Sequence, residues 1–170
     1  VSNATLTTSG ENSSAIATDH GNAAITIDGS SASTSGANSA GISTTASGDV
    51  SISNSSVAAS ASPAIAIEGT STVNAVDSDL STSAEDQPAV SFFQKADNED
   101  SGAAFTMSGG SLSNSGSNGA LIANSGAAGT VELSKVEVSA KSGILIRAQA
   151  GEEGEGGELT VRAKGSNLAG

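Results

Sequence analysis

Asp77 and Asp79 stand two residues apart, a spacing that on a strand would turn both carboxylates to one face. Two carboxylates opposed across a cleft are what glycoside hydrolysis requires. Because this pair comes just before Leu80, it is expected to decorate a turn instead. A lyase acting on uronates would need Arg or Lys as base and charge clamp. Residues 1–94 contain neither, which leaves Lys141 and Arg147 as candidates by default. The single histidine, His20, follows Asp19 in a turn-like Thr18-Asp19-His20-Gly21, with no Ser–His–Asp arrangement around it. Sugar sites also favour aromatic platforms, and the chain has three Phe and no Trp or Tyr. Phe92 lies two residues after Val90 and is expected in the core. Catalysis is not expected.

Hard oxygens are gathered at Asp97, Asn98, Glu99 and Asp100, a donor set suited to calcium. Neither the EF-hand spacing nor the glycine- and aspartate-rich nonapeptide of calcium-binding β-rolls is present, so a solvated acidic loop is expected, with no cofactor. The absence of cysteine excludes disulfides and thiolate metal sites. Net charge is −12, and all six basic residues lie beyond residue 94. Such a surface repels phosphate backbones, which argues against nucleic acid as a partner. No apolar run approaches the ~20 residues of a membrane span.

The elements that would position these residues are legible through a repeat. Leu6, Ala32, Val57, Leu80, Leu112 and Val138 occupy a site a, and Ile16, Ile42, Ile65, Val90, Leu121 and Ile144 a site b. Ile25, Val50, Val73, Phe105, Val131 and Leu159 occupy a site c. From c to the next a the step is seven residues in all five repeat-to-repeat passages. With 33 Ser, 21 Gly and only 31 Leu, Ile, Val and Phe, the composition sits near that of disordered chains. A disordered tract has no reason to return its few large apolar residues to matching places, so the repeat decides for a parallel β-solenoid. Alternation such as Ile25-Thr26-Ile27 and Val131-Glu132-Leu133 marks strands with one face buried. Gly, Ser, Thr and Asn are too dense for helix. About six coils of three short strands, stacked at ~4.8 Å, would make a rod of roughly 30 Å. A small residue precedes each site b, and serine recurs three residues after site a in five repeats (Ser9, Ser35, Ser60, Ser83, Ser115), where a turn-stabilising ladder is expected.

Ser9-Gly10-Glu11-Asn12-Ser13-Ser14-Ala15-Ile16 and Ser35-Gly36-Ala37-Asn38-Ser39-Ala40-Gly41-Ile42 share one pattern, echoed at Ser115-Gly116-Ser117-Asn118-Gly119-Ala120-Leu121. The pattern resembles the repeats of right-handed parallel β-helix surface proteins, especially autotransporter passenger domains and bacterial β-helical adhesins. The resemblance implies right-handedness and an extracellular or cell-surface place. The repeat itself implies a single domain over residues 1–170, and the lack of a convincing cap at either end makes a segment of a longer repeat protein the expectation.

The step from b to c runs 9, 8, 8, 15, 10 and 15 residues, so two coils carry extra residues at one corner. Loops on a rigid repeat scaffold are the usual seat of binding. The insertions at 94–101 and 150–158 make Lys95, Asp97, Glu99, Asp100, Glu152, Glu153 and Glu155 the candidate ligand-contact residues. The expected function is a rigid acidic stalk or adhesin segment presenting these loops to a host or neighbouring-cell ligand, a glycan among the candidates. The alternative is a carbohydrate-active β-helix, either a lyase or hydrolase or a glycan-binding module. Open strand edges at the ends of a solenoid add end-to-end self-association to the expected contacts.

Overall fold

The computed structural model describes residues 1–19, 22–93, 102–149 and 157–170. All regular structure in them is β. The first coil contributes β1 (Thr5–Thr8), β2 (Ile16–Thr18) and β3 (Ala24–Asp28), and the second β4 (Ser31–Thr34), β5 (Ile42–Thr44) and β6 (Asp49–Ser53). β7 (Ser56–Ala59), β8 (Ile65–Glu68) and the long β9 (Thr72–Thr82) follow, then β10 (Val90–Phe93) and the long β11 (Ala103–Asn114). The last coils hold β12 (Ile122–Ser125), β13 (Gly129–Ser134), β14 (Glu137–Ala140), β15 (Ile146–Gln149), β16 (Leu159–Lys164) and β17 (Asn167–Ala169). Every pairing between these strands is parallel and joins one coil to the next, which is a parallel β-solenoid of about six turns.

Three strand positions per coil fold into two sheets. The b strands form a six-stranded sheet in the order β15-β12-β10-β8-β5-β2, while the c and a strands share an eleven-stranded sheet. In β9 and β11 the c and a segments run on as one bent strand. The bend has the same backbone conformation in every coil. Three residues before site a, the chain enters the left-handed region at Asn3, Gly29, Asn54, Asp77, Gly109, Lys135 and Gly165, with φ between 45° and 72°. Asn, Asp and Gly tolerate this conformation best. The next residue turns inward, and in three successive coils it is a buried serine: Ser30, Ser55, Ser78. The amides of Ala4, Ser30 and Ser55 donate to the hydroxyls of Ser30, Ser55 and Ser78 one coil on, at 3.1, 3.0 and 3.2 Å. These bonds satisfy amides that the bend removes from the ladder. One residue more or fewer would turn the whole apolar set outward. That is why the seven-residue step does not vary.

Inside the rod, Ile42, Ile65, Val73, Leu80, Val90, Phe92, Phe105 and Leu112 are fully buried in a single column. Each contributes about 1.5–3 kcal/mol by leaving water. The register corrects three assignments. Val90 pairs with Ile122, Ile122 with Ile146, and Val131 with Val161. Site b is therefore Ile122 and Ile146, not Leu121 and Ile144, and the last site c is Val161, not Leu159. Leu121 and Ile122 are adjacent and both buried, and Leu159 and Val161 share a face, so apolarity alone cannot choose between them. With the register applied, the b-to-c steps become 9, 8, 8, 15, 9 and 15 and the a-to-b steps are 10 or 8 throughout. The seven-residue step then extends to a seventh site a, from Val161 to Leu168. The small residue before site b holds for Ala15, Gly41, Ala64 and Ala89 but gives way to Leu121 and Leu145 in the fifth and sixth coils.

Candidate functional site

The strands flanking the two long b-to-c connections stand on one corner of the rod. β10 pairs with β12 and β12 with β15, so the segment after Phe93 and the segment after Gln149 leave the same sheet two steps apart. In the coil between them, Gly126 at φ 74° and Ala127-Ala128 turn the corner directly. The candidate residues Lys95, Asp97, Glu99, Asp100, Glu152, Glu153 and Glu155 lie outside the described residues, as does His20.

Two side chains at this corner escaped the sequence reading. Asn124 occupies an inward position that holds Phe92 in the neighbouring coil. Its amide donates to the Ala127 carbonyl at 2.7 Å and to the Gly157 carbonyl at 3.3 Å, while its oxygen accepts from the Ala127 amide at 3.2 Å. It therefore clamps the short turn to the coil that bears the second insertion. Glu68 is a buried carboxyl on β8, aligned with Phe93 of the next coil, beside the start of the first insertion. The signal for Asn124 was a polar residue where the repeat demands an apolar one.

A second feature runs along the bend between c and a. A shallow groove of roughly 640 Å³ is walled by Asn3, Ser31, Asn54, Ser56, Asp77 and Asp79. Asp77 sits on the left-handed bend itself and Asp79 one residue before Leu80, both exposed. The expected turn is thus a bend within β9, and both carboxylates reach the groove. Nearby, Asp28 accepts from Ser53 Oγ at 2.7 Å and Asn54 Nδ2 at 3.1 Å. Those two hydrogen bonds, the Ser53 one foremost, hold its carboxyl below the ordinary value of 3.8. Hydrogen-bond acceptors and carboxylates dominate this surface, which suits it to hydroxyl donors and cations.

Of the default basic candidates, Arg147 is held by a hydrogen bond from Nη2 to the Asn118 carbonyl at 2.8 Å, whereas Lys141 is exposed and only its backbone amide is bonded, to the Asn114 carbonyl. The sequence-predicted serine ladder is exposed in all five coils, and its amides carry the a-strand pairing one step further: Ser35 to Thr8, Ser60 to Thr34, Ser83 to Ala59, Ser115 to Thr82, at 2.9–3.1 Å. Among the described residues no three His, Cys, Asp or Glu side chains converge as a metal site. No described helix is long and apolar enough to cross a membrane. Comparison with protein-family models, curated proteins and solved structures gives no match to this chain.

Proposed function

We propose that this chain is a rigid, non-catalytic segment of a cell-surface or secreted adhesin or stalk. In this reading the segments 94–101 and 150–158 are presented laterally for attachment, with Lys95, Asp97, Glu99, Asp100, Glu152, Glu153 and Glu155 as the contact residues. The observation that supports it is the placement of the flanking strands, two coils apart on one corner of an otherwise regular rod. Two loops so anchored would meet a ligand together, and the second contact would be made at high effective concentration. The test replaces each segment with the short turn of the fifth coil and compares binding to cells and to a glycan array. Binding that survives both replacements with the rod intact would end this reading.

A second reading, a glycan-binding or glycan-cleaving β-helix, draws support from the bend groove, where Asp77 and Asp79 meet Asn3 and Asn54. Incubation with uronate and neutral polysaccharides, followed for reducing ends and unsaturated products, tests it. Turnover lost in Asp77→Asn or Asp79→Asn would favour this second function.

A further inference from the structure

The outer face of the c strands is polarised by charge along the rod, a property that neither reading above uses. β3, β6, β9, β11, β13 and β16 stack in register, so each outward residue belongs to a column of six. One column runs Asp28, Ser53, Val76, Ser108, Ser134, Lys164, with an acid at one end and a base at the other. Asp49 adds an exposed carboxylate to the second coil of this face, and Asp77, on the bend at its edge, another to the third. At the far end Lys135 on the bend and Arg162 on β16 join Lys164, and all three are exposed. Glu132 pairs with Arg162 at 3.5 Å, while among the described residues Lys135 and Lys164 have no ion-pair partner. Asp28 is held in place by the Ser53 and Asn54 side chains. Midway along the same column stands Val76, 38% exposed. The other large apolar side chains exposed among the described residues, Val1, Ile146 and Leu168, all lie in the first or last coil.

Charge selects how two such faces could meet. A twofold axis along the rod would set each coil on its like, bringing Asp28 to Asp28 and Lys164 to Lys164, which is repulsive. An axis parallel to the strands sets the first coil on the sixth, the second on the fifth and the third on the fourth. Asp28 then lies opposite Lys164 of the second copy, and the contact occurs twice because a twofold interface is reciprocal. Asp49 falls opposite Thr130, one column away from Glu132, and Asp77 comes within one coil of Lys135. The two Val76 side chains flank the axis, about 4.8 Å apart along the rod. Face-to-face sheets lie about 10 Å apart, a gap that a Lys and an Asp side chain span together. We propose that the c face binds the c face of a second copy of this chain, antiparallel, through reciprocal Asp28–Lys164 ion pairs around a central Val76 contact. The face measures about 24 Å by 17 Å, roughly 400 Å² in projection. A standard interface buries about 800 Å² per partner, so the dimer is reversible and concentration-dependent. It needs only the rod and is independent of the attachment loops.

Sedimentation of the 170-residue chain across a concentration series tests this. At about 0.15 M salt, charges more than about 8 Å apart are screened while pairs in contact persist. A mass that climbs with concentration and levels off at twice that of the chain is expected there, with return to monomer near 1 M salt, where the screening length is about 3 Å. Asp28→Lys and Lys164→Asp should each be monomeric alone, and mixing the two should restore a dimer, because each supplies the charge the other lacks. Val76→Lys should abolish the dimer while leaving both charged positions untouched, and circular dichroism confirms the fold of every variant. A native chain that stays monomeric would overturn the proposal, as would a mixture of the two charge variants that fails to associate. Growth beyond the dimer that survives Val76→Lys would overturn it too and assign self-association to the open ends of the rod.

Discussion

Serines that look alike in the sequence carry different burdens according to which side of the chain they face. Ser55 accepts the Ser30 amide inside the bend, whereas Ser60 is exposed and its hydroxyl makes only a 3.4 Å contact to the Thr34 carbonyl. Ser55→Ala leaves a buried amide unpaired and should cost about 1–3 kcal/mol. Ser60→Ala should stay within about 0.5 kcal/mol, and urea unfolding of the two variants measures the contrast. Gly110 bends at φ 74°, and a Cβ there would lie 2.0 Å from the Ser78 carbonyl oxygen. Gly110→Ala must move backbone, so a fall in melting temperature is expected that exceeds the ~1 kcal/mol of a simple helix or strand propensity change. The glycine of the recurring Ser-Gly pair has a similar cause: a Cβ on Gly36 or Gly116 would lie 1.9 Å from a carbonyl oxygen of the preceding coil. Asp28 sets a pH dependence. Its folded carboxyl titrates below its unfolded value, so its contribution is complete above about pH 4 and is lost as pH falls through the depressed value. Asp28→Asn should flatten that part of a melting-temperature profile in acid, without shifting the neutral range by a comparable change in slope.

At the scale of the element, each strand is too short to stand alone, and stability comes from its neighbours above and below. The b strand of the third coil makes the point: Ile65 and Ile67 are both fully buried. Ile67→Ala should cost about 2–5 kcal/mol, because the narrow column cannot collapse around the cavity. The same change at Ile146, which is 50% exposed, should cost much less. Differential scanning calorimetry of both variants tests the gradient. Strand periodicity was readable wherever apolar residues alternate singly, as at Ile25-Thr26-Ile27. It was ambiguous where they cluster, as at Leu121-Ile122 and Ile144-Leu145-Ile146, because only the hydrogen-bond ladder distinguishes an inward residue from its apolar neighbour.

For the whole molecule, the rod concentrates its irregularity at one corner. Replacing 94–101 and 150–158 by short turns should leave cooperative unfolding intact, since the flanking strands are held by neighbours in adjacent coils and loop length contributes only about 0.6 kcal/mol per doubling. Unchanged or raised melting temperature, with lost binding, is the joint outcome expected of the attachment reading. The two open ends differ from the interior: Leu168 is 48% exposed, where its counterparts Leu80 and Leu112 are fully buried. Self-association through these ends would bury such residues, and light scattering across concentrations measures it.

The apolar repeat by itself determined that the chain is a parallel solenoid of about six turns and that its extra residues gather between b and c. Spacing can do this because a stacked coil admits little freedom in where its inward residues fall. Tertiary structure decided what spacing cannot carry. It chose Ile122, Ile146 and Val161 over their apolar neighbours, because register is a property of bonds between coils. It merged the c and a strands into one sheet through a left-handed bend. It also separated buried serines such as Ser55 from exposed ones such as Ser60. Serine is small enough and polar enough to serve either side of a strand, so its role is settled only by the fold around it.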